Sequence, residues 1–247
     1  MKVVFDQAFY SVYASDPAAE AGRIQAIVKA LPTNTVFVEP HSASFEEIHL
    51  AHSEAHIRLI KEQDLYDIAA LAAGGAVTAA RLGLEEPAFG LIRPPGHHAS
   101  ADAAWGFCFF NNMAIALLAL KTAGEIQTAY VLDVDLHYGD GTVNILGEAD
   151  WVNIFNPAKN NRKAYIASVE KALDAVDADI IGISAGFDNH LEDWGGLLAT
   201  EDYYSIGRMV RQRAKQNNGG CFALLEGGYN HSVLGQNVTA LIHGMSQ

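Results

Sequence analysis

The stretch Ala129-Tyr130-Val131-Leu132-Asp133-Val134-Asp135-Leu136-His137-Tyr138-Gly139-Asp140-Gly141-Thr142 decides how the rest of the chain is read. It opens as an apolar run and ends in three acids, one imidazole and two glycines. A hydrophobic strand that runs into a polar cluster is how parallel α/β sheets present chemistry at their carboxyl edge. Asp and His together are ligand types for a borderline metal such as zinc. Taken alone, the same residues also fit a strand exit followed by a helix cap, with Asp140 and Gly141 as turn residues.

Short apolar runs recur at Val3-Phe5, Val36-Val38, Phe89-Ile92, Ala129-Val134, Val152-Phe155, Ile180-Ser184 and Phe222-Leu225. Several are spaced widely enough for crossover helices between them. Helical periodicity falls at Ala18-Leu31, Asp67-Leu82, Asn112-Lys121, Lys163-Val176 and Glu201-Gln216, the last with Thr200 as its expected N-cap. This alternation predicts an α/β fold built on a mainly parallel sheet flanked by helices. No linker, repeat or low-complexity tract divides the sequence, so 1–247 is read as a single domain.

The chain has 247 residues and is 50% hydrophobic, enough for a sizeable core. Twenty-nine acids against sixteen Lys and Arg give a net charge of −13, which argues against nucleic acid as a partner. Cys108 and Cys221 lie far apart in apolar stretches and read as buried thiols in a cytoplasmic protein. Asp6 interrupts the apolar start, and Met113-Leu120 is too short to span a bilayer, so no membrane role is expected.

Three more apolar runs end as the first one does. Phe89-Ile92 leads into Arg93-Pro94-Pro95-Gly96-His97-His98; Ile180-Ser184 into Ala185-Gly186-Phe187-Asp188; and Phe222-Leu225 into Glu226-Gly227-Gly228-Tyr229. In a parallel sheet all four exits share one edge, so residues distant in sequence can converge on one cleft. Each motif has a plainer reading: a solvated histidine pair, a turn-capping Asp188, an exposed loop Tyr229. Their joint placement outweighs those readings.

Arg93-Pro94-Pro95-Gly96-His97-His98-Ala99, Gly106-Phe107-Cys108-Phe109-Phe110-Asn111-Asn112, Asp133-Val134-Asp135-Leu136-His137, Gly186-Phe187-Asp188 and Glu226-Gly227-Gly228-Tyr229-Asn230 together resemble the zinc-dependent histone deacetylase family, which includes acetylpolyamine amidohydrolases and acetoin-utilisation proteins. The match is co-linear over roughly residues 45 to 230. The resemblance implies an arginase-like three-layer fold and hydrolysis of an N-acetylated amine, such as a small acylated amine or an acetyl-lysine peptide. It also implies Asp135, His137 and Asp188 as ligands of one zinc ion, with the remaining coordination left open, as a catalytic zinc requires. By the same resemblance, His97 and His98 form the acid/base pair and Asp133 and Asp140 orient them. Tyr229 donates to the developing oxyanion, and Phe107, Gly106, Gly227 and Gly228 border the substrate.

Some positions depart from the family pattern. Tyr138 stands where many relatives carry a second histidine, and Val152-Asn156 lacks the serine that helps hold a structural potassium ion. Loops that build a deep substrate rim in longer members are short here, which leaves a homodimer that completes the rim among the alternatives. His49, His52 and His56 are spaced as on one partly exposed helix. His190 reads either as a cleft-shaping residue or as a turn residue, and Cys108 as packing beside the site. Two other functions share the fold: a binuclear manganese ureohydrolase, which needs a second acid pair near Asp188, and a non-catalytic acyl-amine binder, which needs neither tandem histidines nor Tyr229.

Overall fold

The computed structural model describes all 247 residues. Each apolar run becomes a strand: β1 (Lys2–Val4), β2 (Val36–Val38), β3 (Ala88–Gly90), β4 (Ala129–Asp133), β5 (Val152–Phe155), β6 (Ile180–Ala185) and β7 (Gly220–Leu225). Between and after them lie α1 (Arg23–Ala30), α2 (Phe45–His49), α3 (Glu54–Glu62), α4 (Tyr66–Glu85), α5 (Asn112–Thr122), α6 (Asp140–Leu146), α7 (Arg162–Asp174), α8 (Thr200–Gln216) and α9 (His231–Met245). The strands form one all-parallel sheet in the order β2-β1-β3-β7-β6-β4-β5.

Helices cover both faces, which is why the central strands are apolar throughout rather than alternating. Val131, Leu132, Ile181, Ile183, Phe222 and Leu224 are all fully buried. The register places Leu132, Ile183, Ala223 and Phe89 in one row across β4, β6, β7 and β3. Those four strands are therefore neighbours, and their polar exits lie side by side on one edge.

Phe222 sits mid-sheet, its ring against Gly182 and its Cβ near Gly83. Phe222→Ala is expected to lower stability by about 3–5 kcal/mol, since the rigid sheet cannot collapse around the void. Far-UV circular dichroism during heating would read this as a fall of ~2–4 °C per kcal/mol for a chain of this length. A variant that melts with the wild type would contradict the central place of this side chain.

Several sequence expectations are corrected. The Ala18-Leu31 helix is broken: a 3-10 turn at Pro17–Ala19 precedes α1, and Gly22 in the left-handed region (φ 90) separates the two. Thr200 is not the N-cap of α8 but its first residue; Ala199 takes the cap position, its N–H donating to the Asp202 carboxylate at 2.8 Å. His49, His52 and His56 do not share one helix. His49 ends α2 and His56 belongs to α3, while His52 lies between the helices. His52 and His56 are buried, because their imidazoles satisfy loop backbone: His52 Nε2 accepts from Asn111 N at 2.8 Å, and His56 Nε2 lies 2.8 Å from Phe109 O. Helix α4 is long and apolar enough by composition to cross a membrane, but it is mostly buried here and packs on α5 and β7.

Candidate active site

The exits of β4 and β6 supply a trio of metal-ligand types. Asp135, His137 and Asp188 each offer a donor atom within 4.8 Å of the others. His137 Nδ1 stands 3.2 Å from Asp135 Oδ1 and 3.0 Å from Asp188 Oδ2. Ligands on a tetrahedral zinc with bonds of ~2.0–2.1 Å are about 3.3 Å apart, so these separations already match such a centre. Asp188 Oδ1 accepts from Leu136 N at 3.0 Å, whereas its Oδ2 is buried with no properly directed hydrogen bond. Burial and the Asp135 charge push Asp188 up to about 7, and the two carboxylates push His137 up to about 10. An uncompensated acid beside an over-basic imidazole is what a cation would relieve. Asp135 is buried too, but the His97 charge and the N–H groups of His137 and Gly227 hold it below the usual carboxylate range. The Gly227 N–H donates to Asp135 Oδ2 at 2.8 Å, and a side chain at Gly227 would run into both carboxylates.

The β3 exit brings the paired histidines to the same place, each with its own acid. His97 Nδ1 lies 3.0 Å from Asp133 Oδ2, and His98 Nδ1 lies 2.6 Å from Asp140 Oδ1. Their environments differ. Burial alone would keep His97 neutral, but the Asp133 and Asp135 charges outweigh it and push His97 up. For His98, burial and the neighbouring His97 prevail over Asp140 and push it down to about 4. Two imidazoles with opposed basicities are suited to different parts in one proton transfer. Glu226, fully buried at the β7 exit and raised to about 7 by burial, accepts from Gly96 N (2.7 Å) and His97 N (3.2 Å) and so anchors the Pro94-Pro95-Gly96 turn.

Tyr229 is gripped on every side. Its ring stacks on Trp194 (centroids 4.1 Å apart), meets Phe107 edge-on at 6.0 Å and lies under the Arg23 guanidinium at 5.5 Å. Its N–H donates to Asp193 at 2.8 Å. Arg23, itself buried, donates to Gly228 O at 2.8 Å and to Glu226 O at 2.5 Å, tying α1 to the loop that carries Tyr229. Pro95, His97, His98, Trp105, Gly106, Phe107, His137, Trp194, Gly227 and Tyr229 line a cleft of about 110 Å³.

Among the residues singled out by sequence, Gly228 is set apart. It lies against Phe187 and Leu234 behind the cleft, with φ +115 and its carbonyl on Arg23. Cys108 is buried beside His98, its Sγ 3.4 Å from the His98 N–H, and burial pushes the thiol up. His190 Nδ1 accepts from Glu192 N, so it serves its own turn. Tyr138 is exposed. Sequence reading did not anticipate Trp105, Trp194, Asp193 or Arg23, and it attached no role to Glu226. Glu226 opens a quoted motif but the other four carry none, and all five act through contacts across long stretches of chain.

The histone deacetylase domain family matches residues 59–165 and 152–245, well over half of the chain. A protein named probable deacetylase from Methanothermobacter thermautotrophicus is 30% identical, over 91% of this chain and 84% of its own length. The polyamine deacetylase HDAC10 of Danio rerio is 26% identical, over 98% of this chain and 47% of its own. Among solved structures, the HDA15 HD domain superposes with a TM-score of 0.84 at 22% identity, covering all of this chain and 90% of that one, which shows a shared fold. By its matched residues, its parallel sheet and its relatives, this chain belongs to the histone deacetylase domain family.

Proposed function

We propose that the protein is a zinc-dependent amidohydrolase that removes an acetyl group from an N-acetylated amine. The observation that carries this reading is the Asp135, His137 and Asp188 trio placed against both His–Asp pairs and Tyr229 in one cleft. Zinc held by Asp135, His137 and Asp188 would supply a Lewis acid for the acetyl carbonyl and would make the attacking water more acidic.

The remaining work falls to the chain's own groups. His98 keeps its Nδ1 proton on Asp140, which leaves Nε2 free to take a proton from the attacking water and to return it to the departing amine. His97, more basic and held by Asp133, contributes chiefly positive charge next to the reacting carbonyl. Tyr229 donates its hydroxyl hydrogen to the carbonyl oxygen as negative charge develops there. Burial pushes that phenol well above its usual pKa, so it remains a donor at every working pH. The cleft is small, about 110 Å³, which suits the acetyl end of a small acetylated amine or of an acetyl-lysine. The binuclear manganese alternative is disfavoured, because Asn189 and His190, not an acid pair, follow Asp188.

Tyr229→Phe keeps the ring packing with Trp194 and Phe107 and removes only the donor. Its kcat is expected to fall about 10²–10³-fold with unchanged melting. Comparing kcat/KM on acetylputrescine, acetylspermidine and an acetyl-lysine peptide with zinc-loaded protein tests the reaction and ranks its substrates. Undiminished turnover by Tyr229→Phe, or no hydrolysis of any of the three, would overturn the reading.

A further inference from the structure

We propose that Trp105 is a positioning residue, whose indole N–H holds the Asp140 carboxylate in the orientation that aligns His98 for proton transfer. This rests on the reading of His98 as the base. The two histidines have acids of the same kind but in unlike surroundings. Asp133, the partner of His97, has a side chain only 1% exposed, and it also accepts from Asp135 N, so its surroundings fix it. Asp140, the partner of His98, has a side chain 42% exposed at the first turn of α6. A carboxylate so open to water rotates freely unless something else holds it.

Trp105 supplies that hold. Its Nε1–H donates to Asp140 Oδ2 at 2.9 Å, while Oδ1 of the same carboxylate is engaged by His98 Nδ1 at 2.6 Å. The indole also lies over the His98 ring, with centroids 3.9 Å apart and planes 33° from parallel. One side chain therefore clamps both members of the pair, the acid through its N–H and the imidazole through its face. Trp105 is 56% exposed, so burial of apolar surface does not account for where it sits.

The backbone that carries the indole is shaped for the same purpose. After Trp105 come Gly106 (φ +58) and Phe107 (φ +68), two consecutive left-handed residues, and Cys108 N closes the turn on Trp105 O at 3.0 Å. Phe107 has a Cβ and holds this costly conformation nonetheless. Gly106 packs directly on His98, where a side chain would run into the imidazole Cδ2. The strained turn wraps His98 from the indole to the Cys108 thiol, which meets the His98 N–H at 3.4 Å.

The test uses zinc-loaded protein and an acetyl-lysine peptide, with W105F, D140N and the double variant. W105F retains a ring for stacking and loses the N–H. Its kcat is expected to fall about 10- to 100-fold, the usual effect of removing a partner that orients a reacting group, with KM nearly unchanged. W105F should cost little further in the D140N background, since both act through one carboxylate. The Nδ1 proton of His98 should give a downfield proton resonance that broadens in W105F while the melting temperature stays put. A raised KM with unchanged kcat would make Trp105 a substrate wall only, and additive losses in the double variant would place its effect elsewhere; either overturns the proposal. If H98A turns over like wild type, the base assignment fails and takes the proposal with it. If H98A and D140N are impaired but W105F is not, the proposal alone falls.

Discussion

Asp188→Asn is expected to abolish zinc binding at the proposed site and reduce hydrolysis to background while leaving the fold in place. The side chain is fully buried, and its Oδ1 contact to Leu136 N can be kept by an amide oxygen. What disappears is the charge on Oδ2, the atom that has no other hydrogen-bond partner. Loss of an outer orienting group already weakens metal sites ~10–100-fold, so loss of a ligand charge should exceed about 100-fold in affinity. Metal content after dialysis and kcat together measure this; a variant with wild-type zinc and wild-type turnover would remove Asp188 from the ligand set.

The same substitution has a pH signature in metal-free protein. Asp188 rises from 3.8 to about 7 through burial and Asp135. Between those pH values the unfolded chain releases this proton while the folded chain keeps it, so the contribution of Asp188 to stability declines as pH increases. Unfolding in urea should therefore show wild type losing ground to Asp188→Asn from pH 4 to 7. Zinc bound at the proposed site should reverse the trend, since binding requires the ionised acid.

His98→Ala is expected to lower kcat about 10²–10⁴-fold, the range for a positioned general base, with His97→Ala less severe. The distinction follows from the opposed shifts. His98, pushed down to about 4, is neutral at pH 7 and can accept a proton, whereas His97 is pushed up and holds its own. Added imidazole should restore part of the His98→Ala activity by entering the space left beside Asp140 and Trp105. Greater damage from His97→Ala, without rescue in either variant, would exchange the two assignments.

Much of this site was legible in sequence because its chemistry is local. Asp133, Asp135 and His137 sit within five residues of one strand end, and His97 and His98 are adjacent. The cradle around them was not legible, because it is made by contacts between distant segments. Arg23 reaches Glu226 across 203 positions of chain, and His52 reaches Asn111 across 59. Trp194 and Tyr229 stack only because the loops after β6 and β7 are neighbours. Neither Trp105 nor Trp194 stands in a pattern that separates a residue packed on the site from any exposed aromatic.

Seven apolar strands alternating with helices, four of them ending in polar side chains, follow from the amino-acid sequence alone. Hydrophobic period and turn chemistry act over a few residues, so they can be read directly from the chain. The position of β7 between β3 and β6 emerges in the folded chain, and it sets Glu226 against Gly96 and His97 and brings Tyr229 into the same cleft as His97. Strand order depends on how each crossover helix packs against the whole sheet. That is a competition among long-range contacts, and no single stretch of sequence records its outcome.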